Sequence, residues 1–149
     1  MSTTVRGAAP PDADRLAALS TALGYPMTPD EALRRLAEIA DHPDHGLLVA
    51  EIGGRVEGWI QVSLPRIFET PLQAEIAGLI VDEGARGAGI GRTLLAAAEG
   101  WAREKGCRAL RVRSNVVRER AHAFYEREGF VLIKTQRVFE KPLGRGPRP

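Results

Sequence analysis

Short apolar runs alternate along this chain of 149 residues with longer segments in which apolar residues recur every three or four positions. The short runs, bounded by glycine, proline and polar residues, predict strands. Gly53-Gly54 between two of them is a strong signal for a two-residue hairpin. The predicted strands cover residues 3–8, 47–52, 55–64, 73–81, 110–113, 130–133 and 137–141, and the last two are expected to form an antiparallel pair.

The segments with helical periodicity predict about four helices. The first begins at Pro10-Pro11-Asp12 and places Leu16, Leu19 and Leu23 on one face. Thr28 is a good cap for the second. The predicted helices cover residues 10–23, 29–41 and 90–105, with a fourth that runs to residue 128 from a cap at Asn115 or a neighbour. This order predicts an α/β (α+β) fold with a mixed, mostly antiparallel sheet of six to seven strands, splayed at one point and flanked by the helices.

Composition indicates a globular protein of one domain, long enough to bury a core without disulfides. We expect that domain over residues 1–143, followed by a disordered tail at residues 144–149. The formal net charge is +2 without a polybasic block, which suits an anionic cofactor as well as nucleic acid. The lone Cys107 excludes an internal disulfide and, with no signal-like start, indicates the cytoplasm. No apolar run approaches the length of a membrane span, so no membrane partner is expected.

The stretch Arg86-Gly87-Ala88-Gly89-Ile90-Gly91 carries the clearest chemical signal. It follows the apolar strand and opens directly into the third helix, whose first-turn N–H groups lack intrahelical partners and carry partial positive charge. Glycine allows a phosphate to approach the backbone closely, and Arg86 and Arg92 can add charge-assisted hydrogen bonds. The stretch therefore predicts a pyrophosphate cradle at residues 86–92. The alternative is a structural strand-to-helix turn with two solvated arginines.

Spacing separates three glycine-rich motifs that bind phosphates. The dinucleotide fingerprint G-x-G-x-x-G needs a glycine where Arg92 or Leu94 stands. A Walker loop needs a lysine at the position of Arg92 and a glycine at the position of Arg86, and no nearby acidic residue is an obvious magnesium ligand. The pattern R-x-x-G-x-G fits Arg86, Gly89 and Gly91.

A second motif, Ala121-His122-Ala123-Phe124-Tyr125-Glu126 followed by Gly129-Phe130, stands downstream of the glycine stretch. In this order and spacing the two motifs resemble those of the GNAT superfamily of acetyl-CoA-dependent N-acetyltransferases, and the resemblance covers nearly the whole chain. It implies the GNAT fold, acetyl-CoA as co-substrate without a metal, and direct transfer of the acetyl group to a primary amine in a ternary complex.

The acceptor amine is left open by the resemblance. The compact length and the short loop after Leu64 favour a small molecule. A protein or peptide amine is an alternative, as is a non-catalytic acyl-CoA-binding sensor. The arginines are scattered rather than clustered with aromatic residues, so no nucleic-acid partner is expected. A homodimer is compatible with the resemblance, because such domains often pair.

Two residues are implied by the resemblance to take part in catalysis. Tyr125 matches the tyrosine that points at the CoA sulfur and would protonate the departing thiolate as general acid. Its alternative is a half-buried packing aromatic. Glu75 lies eleven residues before the glycine motif, where some members of the family carry a glutamate. It, or an ordered water, would take the proton of the amine, and its alternative is a solvent-exposed glutamate at a strand edge.

Cofactor contacts are also implied by the resemblance. A strand bulge at Leu79, Ile80 and Val81 would pair its backbone groups with pantetheine, whereas ordinary strand pairing is the alternative. Arg118 stands where many members carry an asparagine and could reach a CoA phosphate, while Asn115 could serve only as a cap. The candidate cofactor-binding residues are Leu79, Ile80, Val81, Arg86, Gly87, Ala88, Gly89, Ile90, Gly91, Arg92, Asn115 and Arg118.

Other residues give weaker chemical signals. Cys107 could suggest an acyl-enzyme, but no histidine stands beside it in sequence, so a buried small residue is favoured. His42 and His45 lack a clear third ligand for a metal. Possible acceptor-side residues are Trp59, Gln61, Tyr25 and the loop at residues 66–71.

Overall fold

An open sheet of five strands organises the first 113 residues of the protein. The strands are β1 (Thr3–Gly7), β2 (His45–Ile52), β3 (Arg55–Ser63), β4 (Ala74–Val81) and β5 (Leu110–Val112). They lie in the sheet in the same order as in the chain. Neighbouring strands are antiparallel except β4 and β5, which are parallel. The mixed, mostly antiparallel sheet predicted from the sequence is confirmed.

The computed structural model describes residues 2–114 and 116–144. The chain divides into two units, residues 1–113 and residues 114–149. That residues 1–143 form one domain stays a prediction. Apart from Gly144, the tail expected to be disordered lies outside the described residues.

Four α-helices accompany the strands among the described residues, as predicted. They are α1 (Ala13–Ala22), α2 (Pro29–Ile39), α3 (Ile90–Glu104) and α4 (Glu119–Arg127), and only α4 belongs to the second unit. Thr28 begins α2 with a capping box. Its hydroxyl accepts the N–H of Glu31 at 3.1 Å, and the Glu31 carboxylate accepts the N–H of Thr28 at 2.9 Å.

Helices cover both faces of the sheet in the first unit. On one face, Leu16 and Leu19 of α1 pack against Val49, Val56 and Ile80 of three strands. On the other face lies α3, whose apolar side chains reach the sheet at the centre of β3. The largest fully buried side chains include Ile60, Ile90, Leu94, Leu95, Val49 and Val62. The core is thus aliphatic, and β3 lies at its centre.

α3 approaches β3 most closely at Gly58. A Cβ built there would lie 3.2 Å from the side chains of both Ile90 and Leu94, and 2.9 Å from the carbonyl oxygen of Ile80. Only a residue without a side chain fits between the helix and the sheet at this point.

The start of α1 is held to the sheet by a cluster of charged side chains. Arg6 of β1 donates to both carboxylate oxygens of Asp12, at 2.8 and 2.9 Å, and to Glu51 of β2 at 3.0 Å. Asp12 is 7% exposed and also accepts the N–H of Ala9 at 2.8 Å. Its burial is compensated because both oxygens have donors.

The sheet is splayed on one side of β4. Only Ala74–Ile76 of β4 pair with β5, whereas β3 pairs with β4 up to Val81. Within the first unit the last residues of β4 therefore have a strand on one side only. The register between β3 and β4 also skips Ala77, which forms a bulge before the splayed part.

The predicted number of strands was too high. Residues 130–133 and 137–141 form no strands in the described part of the second unit. Five apolar side chains in these two segments are between 63 and 90% exposed: Val131, Leu132, Ile133, Val138 and Phe139. The connection at residues 134–136 contains no Gly, Asn or Asp to form a tight hairpin turn, and an isolated pair of strands is only marginally stable.

Gly58→Ala is expected to lower the free energy of unfolding by about 1–3 kcal/mol, because its Cβ would collide with the Ile80 carbonyl and crowd Leu94. Urea unfolding of the variant measures the loss. Gly7→Ala is the matched control, since a Cβ added at this strand glycine meets nothing within 4 Å. The control should change stability by less than about 0.5 kcal/mol. Equal losses in the two variants would contradict the close approach of α3.

Stability should depend on pH through Asp12. The hydrogen bonds from Arg6 lower the pKa of the Asp12 carboxyl, outweighing the opposite effect of burial. A carboxyl with a lowered folded pKa stabilises the fold above its unfolded value, about 4, and this contribution is lost as the pH falls through the folded pKa. Asp12→Asn should lower the free energy of unfolding at pH 7 by about 1–3 kcal/mol. Unfolding curves measured between pH 7 and pH 2 should converge for the two proteins, and a constant gap would contradict the assignment.

Candidate active site

The glycine turn lies where the sequence predicts it, between β4 and α3. Gly87 and Gly89 have φ values of 90° and 76°, in the left-handed region where a side chain would be strained. Gly89 is the N-cap residue of α3 and, as a glycine, has no side chain with which to cap the helix. Residues 86–89 are exposed.

Ile90 fixes the first turn of α3 to the core. It is 2% exposed and packs toward Gly58 of β3, while Gly91 beside it is only half-buried. The carbonyl of Gly89 accepts both the N–H and the hydroxyl of Thr93, at 3.0 and 2.9 Å, so the helix begins firmly at this residue. A fixed N-terminus of a long helix that begins at a glycine, preceded by an exposed glycine turn, can bind an anion.

Asp82 links the end of β4 to the turn, and sequence reasoning missed it. Its carboxylate accepts the N–H of Gly84 at 2.8 Å and a guanidinium N–H of Arg15 at 2.6 Å. Its own N–H donates to the carbonyl of Glu57 at 2.8 Å. The hydrogen bond from Arg15, followed by that from Gly84, lowers the pKa of the Asp82 carboxyl. The signal in the sequence was an aspartate two residues before a glycine, which is typical of a turn.

Leu79, Ile80 and Val81 pair in regular register with β3. The resemblance placed a bulge at these residues, whereas the structure places it at Ala77. At the next residue, Gly78, the ring of Trp59 lies against the strand, since a Cβ there would be 2.8 Å from it. The strand is irregular where this ring lies against it, and it is regular beyond. The splay leaves Leu79–Val81 without a strand from β5 on their outer side.

Glu75 lies at the opposite end of β4 from the glycine turn. The strand from Glu75 to Val81 spans roughly 20 Å of extended chain. Glu75 pairs with Ser63 and Arg111 in the sheet, and its carboxylate accepts a hydrogen bond from Arg113. Its side chain is 18% exposed. It is therefore a half-buried, ion-paired carboxylate rather than a solvated one at a strand edge.

Tyr125 lies on α4 in the second unit. Its ring meets Phe124 and Phe130 edge to face, with centroids 5.3 and 5.5 Å apart. Burial raises the pKa of the Tyr125 hydroxyl, and the charge of Arg118 opposes this shift. The phenol thus holds its proton at neutral pH and can donate it. Asn115 lies outside the described residues.

Cys107 and the two loop histidines have the surroundings of structural residues. Burial raises the pKa of the Cys107 thiol, which lowers its thiolate fraction at neutral pH. His42 accepts the N–H of Asp44 at 3.0 Å, and its ring meets that of His45 edge to face. In the part of the chain that the structure describes, no group of three His, Cys, Asp or Glu residues could hold a metal ion. No helix there is both long and apolar enough to cross a membrane.

Three kinds of comparison relate the chain to known proteins. Residues 14–130 match the model of the acetyltransferase (GNAT) family. The chain is 33% identical over 145 residues to aminoglycoside N(6')-acetyltransferase type 1 of Stenotrophomonas maltophilia, and the match covers 94% of each protein.

Solved structures share the fold over almost the whole chain. A protein described as a transcriptional regulator from Bacillus halodurans C-125 superposes with a TM-score of 0.82 and 26% identity, covering 94% of this chain and 100% of the other. The aminoglycoside acetyltransferase AAC(6')-Iy, bound to a bisubstrate analog of CoA and an acetylated neamine, superposes with a TM-score of 0.85 and 18% identity, covering 95% and 99%.

Proposed function

Because this chain belongs to the acetyltransferase (GNAT) family, we propose that its acceptor is a primary amine of an aminoglycoside or a closely related amino sugar. The protein is an N-acetyltransferase that uses acetyl-CoA and acts on a small-molecule amine. The observation that carries the choice of acceptor is the 33% identity to an aminoglycoside N(6')-acetyltransferase across 94% of both proteins.

The cofactor would bind along β4 and the glycine turn. The first-turn N–H groups of α3 and the flanking Arg86 and Arg92 would bind the diphosphate, since they combine backbone donors with positive charge. The pantetheine arm would run along the outer side of Leu79–Val81, where β5 leaves the backbone of β4 without a partner strand. Arg118 remains a proposed contact to a CoA phosphate, and Asn115 remains a proposed contact to CoA.

The acceptor would lie on the face of the sheet that carries Glu75. Strand alternation places Trp59, Gln61 and Ser63 of β3 on this face together with Glu75 of β4, because Ser63 pairs with Glu75. The face thus offers an aromatic ring, an amide, a hydroxyl and a carboxylate, groups that suit a polar, cationic sugar.

The reaction proposed is direct transfer. The acceptor nitrogen attacks the thioester carbonyl carbon, the C–S bond breaks, and Glu75 or an ordered water accepts the proton that the nitrogen loses. Tyr125 donates its proton to the departing thiolate. Cys107 is not a nucleophile in this scheme, since burial disfavours its thiolate. Three further points remain predictions: that the protein forms a homodimer, that it has no nucleic-acid or membrane partner, and that it is cytoplasmic.

The acceptor class is tested by following thiol release from acetyl-CoA with matched amines. We expect turnover with aminoglycosides that carry a 6'-amine, and none with partners that carry a 6'-hydroxyl instead. Peptides with a free N-terminus or a lysine should not react. Turnover with the peptides alone would contradict the proposal in favour of a protein acetyltransferase. Binding of acetyl-CoA without turnover of any amine would identify a sensor.

Tyr125→Phe is expected to lower kcat by roughly 100-fold, the lower part of the range for a general acid. KM for acetyl-CoA should change little, because the aromatic contacts with Phe124 and Phe130 are kept. A required acid must be protonated, so wild-type kcat should fall as the pH rises through the raised Tyr125 pKa, and the variant should lack this decline. Cys107→Ala is the control and should retain kcat. An unchanged kcat in the tyrosine variant would contradict the assignment.

A further inference from the structure

Arg15 of α1 connects three separate parts of the first unit. Its Nε donates to the carbonyl of Val56 on β3 at 2.7 Å, and its Nη2 donates to the carboxylate of Asp82 at 2.6 Å. The same Nη2 lies 3.4 Å from the carboxylate of Glu57. One planar guanidinium thus binds a strand carbonyl and the residue that precedes the glycine turn, which a single lysine amine could not do in the same geometry.

Asp82 connects Arg15 to the glycine turn through its carboxylate. One carboxylate oxygen accepts from Arg15 and the other from the N–H of Gly84. The N–H of Ala85 donates to the carbonyl of Asp82 at 3.0 Å, which closes the short 3₁₀ turn at Glu83–Ala85. Arg86 follows immediately.

Packing does not hold this part of the turn. A cavity of about 130 Å³ lies between the second half of α1 and the turn, bordered by Ala18, Leu23, Asp82 and Glu83. The Asp82 carboxylate accepts the N–H of Gly84 at 2.8 Å, so the bridge through Asp82 is a side-chain link that fixes the turn relative to the sheet.

We propose that Asp82 is a positioning residue, which holds the glycine turn in the conformation that binds the diphosphate of CoA and thereby sets cofactor affinity without touching the cofactor. Arg15 is its partner in this role. The inference rests on the proposed function of residues 86–92 as the diphosphate site.

The test compares two thioesters that differ in the diphosphate. Asp82→Asn keeps a side chain of the same size but removes the charge that pairs with Arg15. With acetyl-CoA we expect KM to rise roughly tenfold at unchanged kcat, consistent with the loss of one charge-assisted hydrogen bond. With S-acetylpantetheine, which has the same thioester but no diphosphate, kcat/KM should not change. Arg15→Met should likewise lower kcat/KM for acetyl-CoA and leave it unchanged for S-acetylpantetheine. In the double variant, kcat/KM for acetyl-CoA should fall no further than in either single variant.

Glu51→Gln is the matched control. It removes a carboxylate from the Arg6 cluster, which holds the start of α1 to the sheet, so it tests a general loosening of that helix. In this variant kcat/KM should not fall for either thioester. Equal losses with both thioesters in Asp82→Asn, or no loss with acetyl-CoA, would overturn the positioning role.

A cradle variant separates this inference from the proposed function. Gly89→Val strains the turn directly, because Gly89 has a φ of 76°. Suppose that Gly89→Val lowers kcat/KM for acetyl-CoA but not for S-acetylpantetheine, while Asp82→Asn lowers kcat/KM for neither thioester. Then only the positioning role of Asp82 is wrong. If Gly89→Val changes kcat/KM equally for the two thioesters, the assignment of the diphosphate site itself is wrong.

Discussion

The contact between α3 and β3 at Gly58 determines where the candidate cofactor site can be. A helix N-terminus binds an anion only if it is held in place, and Ile90, the first residue of α3, is buried against this glycine. The glycine turn must therefore cross from the end of β4 to a fixed point above β3. Its two left-handed glycines allow the sharp path that this short crossing needs.

β4 combines a structural and a functional role in one strand. Its first half is paired on both sides and carries Glu75, whose carboxylate is ion-paired with Arg113. Its second half has β3 on one side and the splay on the other. A bulge at Ala77 separates the halves, so the strand changes at this residue from two neighbouring strands to one. This division gives one strand a half-buried, ion-paired carboxylate at one end and, within the first unit, a backbone without a second partner strand at the other.

Local patterns predicted the parts of the structure that local physics determines. The capping residue Thr28, the hairpin at Gly53-Gly54 and the glycine turn all depend on residues close together in the chain, so their signals were visible. The pair of Arg15 and Asp82 joins residues 67 positions apart, and no periodicity marks such a contact. The bulge was misplaced because it is a property of the register between β4 and its neighbour β3, which no local pattern marks. The apolar run at residues 130–133 predicted a strand, but such a run forms one only when a partner strand is present.

Several of the arginines in this arginine-rich chain form ion pairs with carboxylates of the same chain. Arg6, Arg15 and Arg66 each bind a carboxylate, and the first two also bridge separate elements of the fold. The charge of these three arginines is thus neutralised at close range by nearby carboxylates, so they contribute little to the long-range field. Despite its positive formal charge, the protein should attract polyanions only weakly, and its preference for an anionic ligand would arise locally, from backbone dipoles rather than from overall charge.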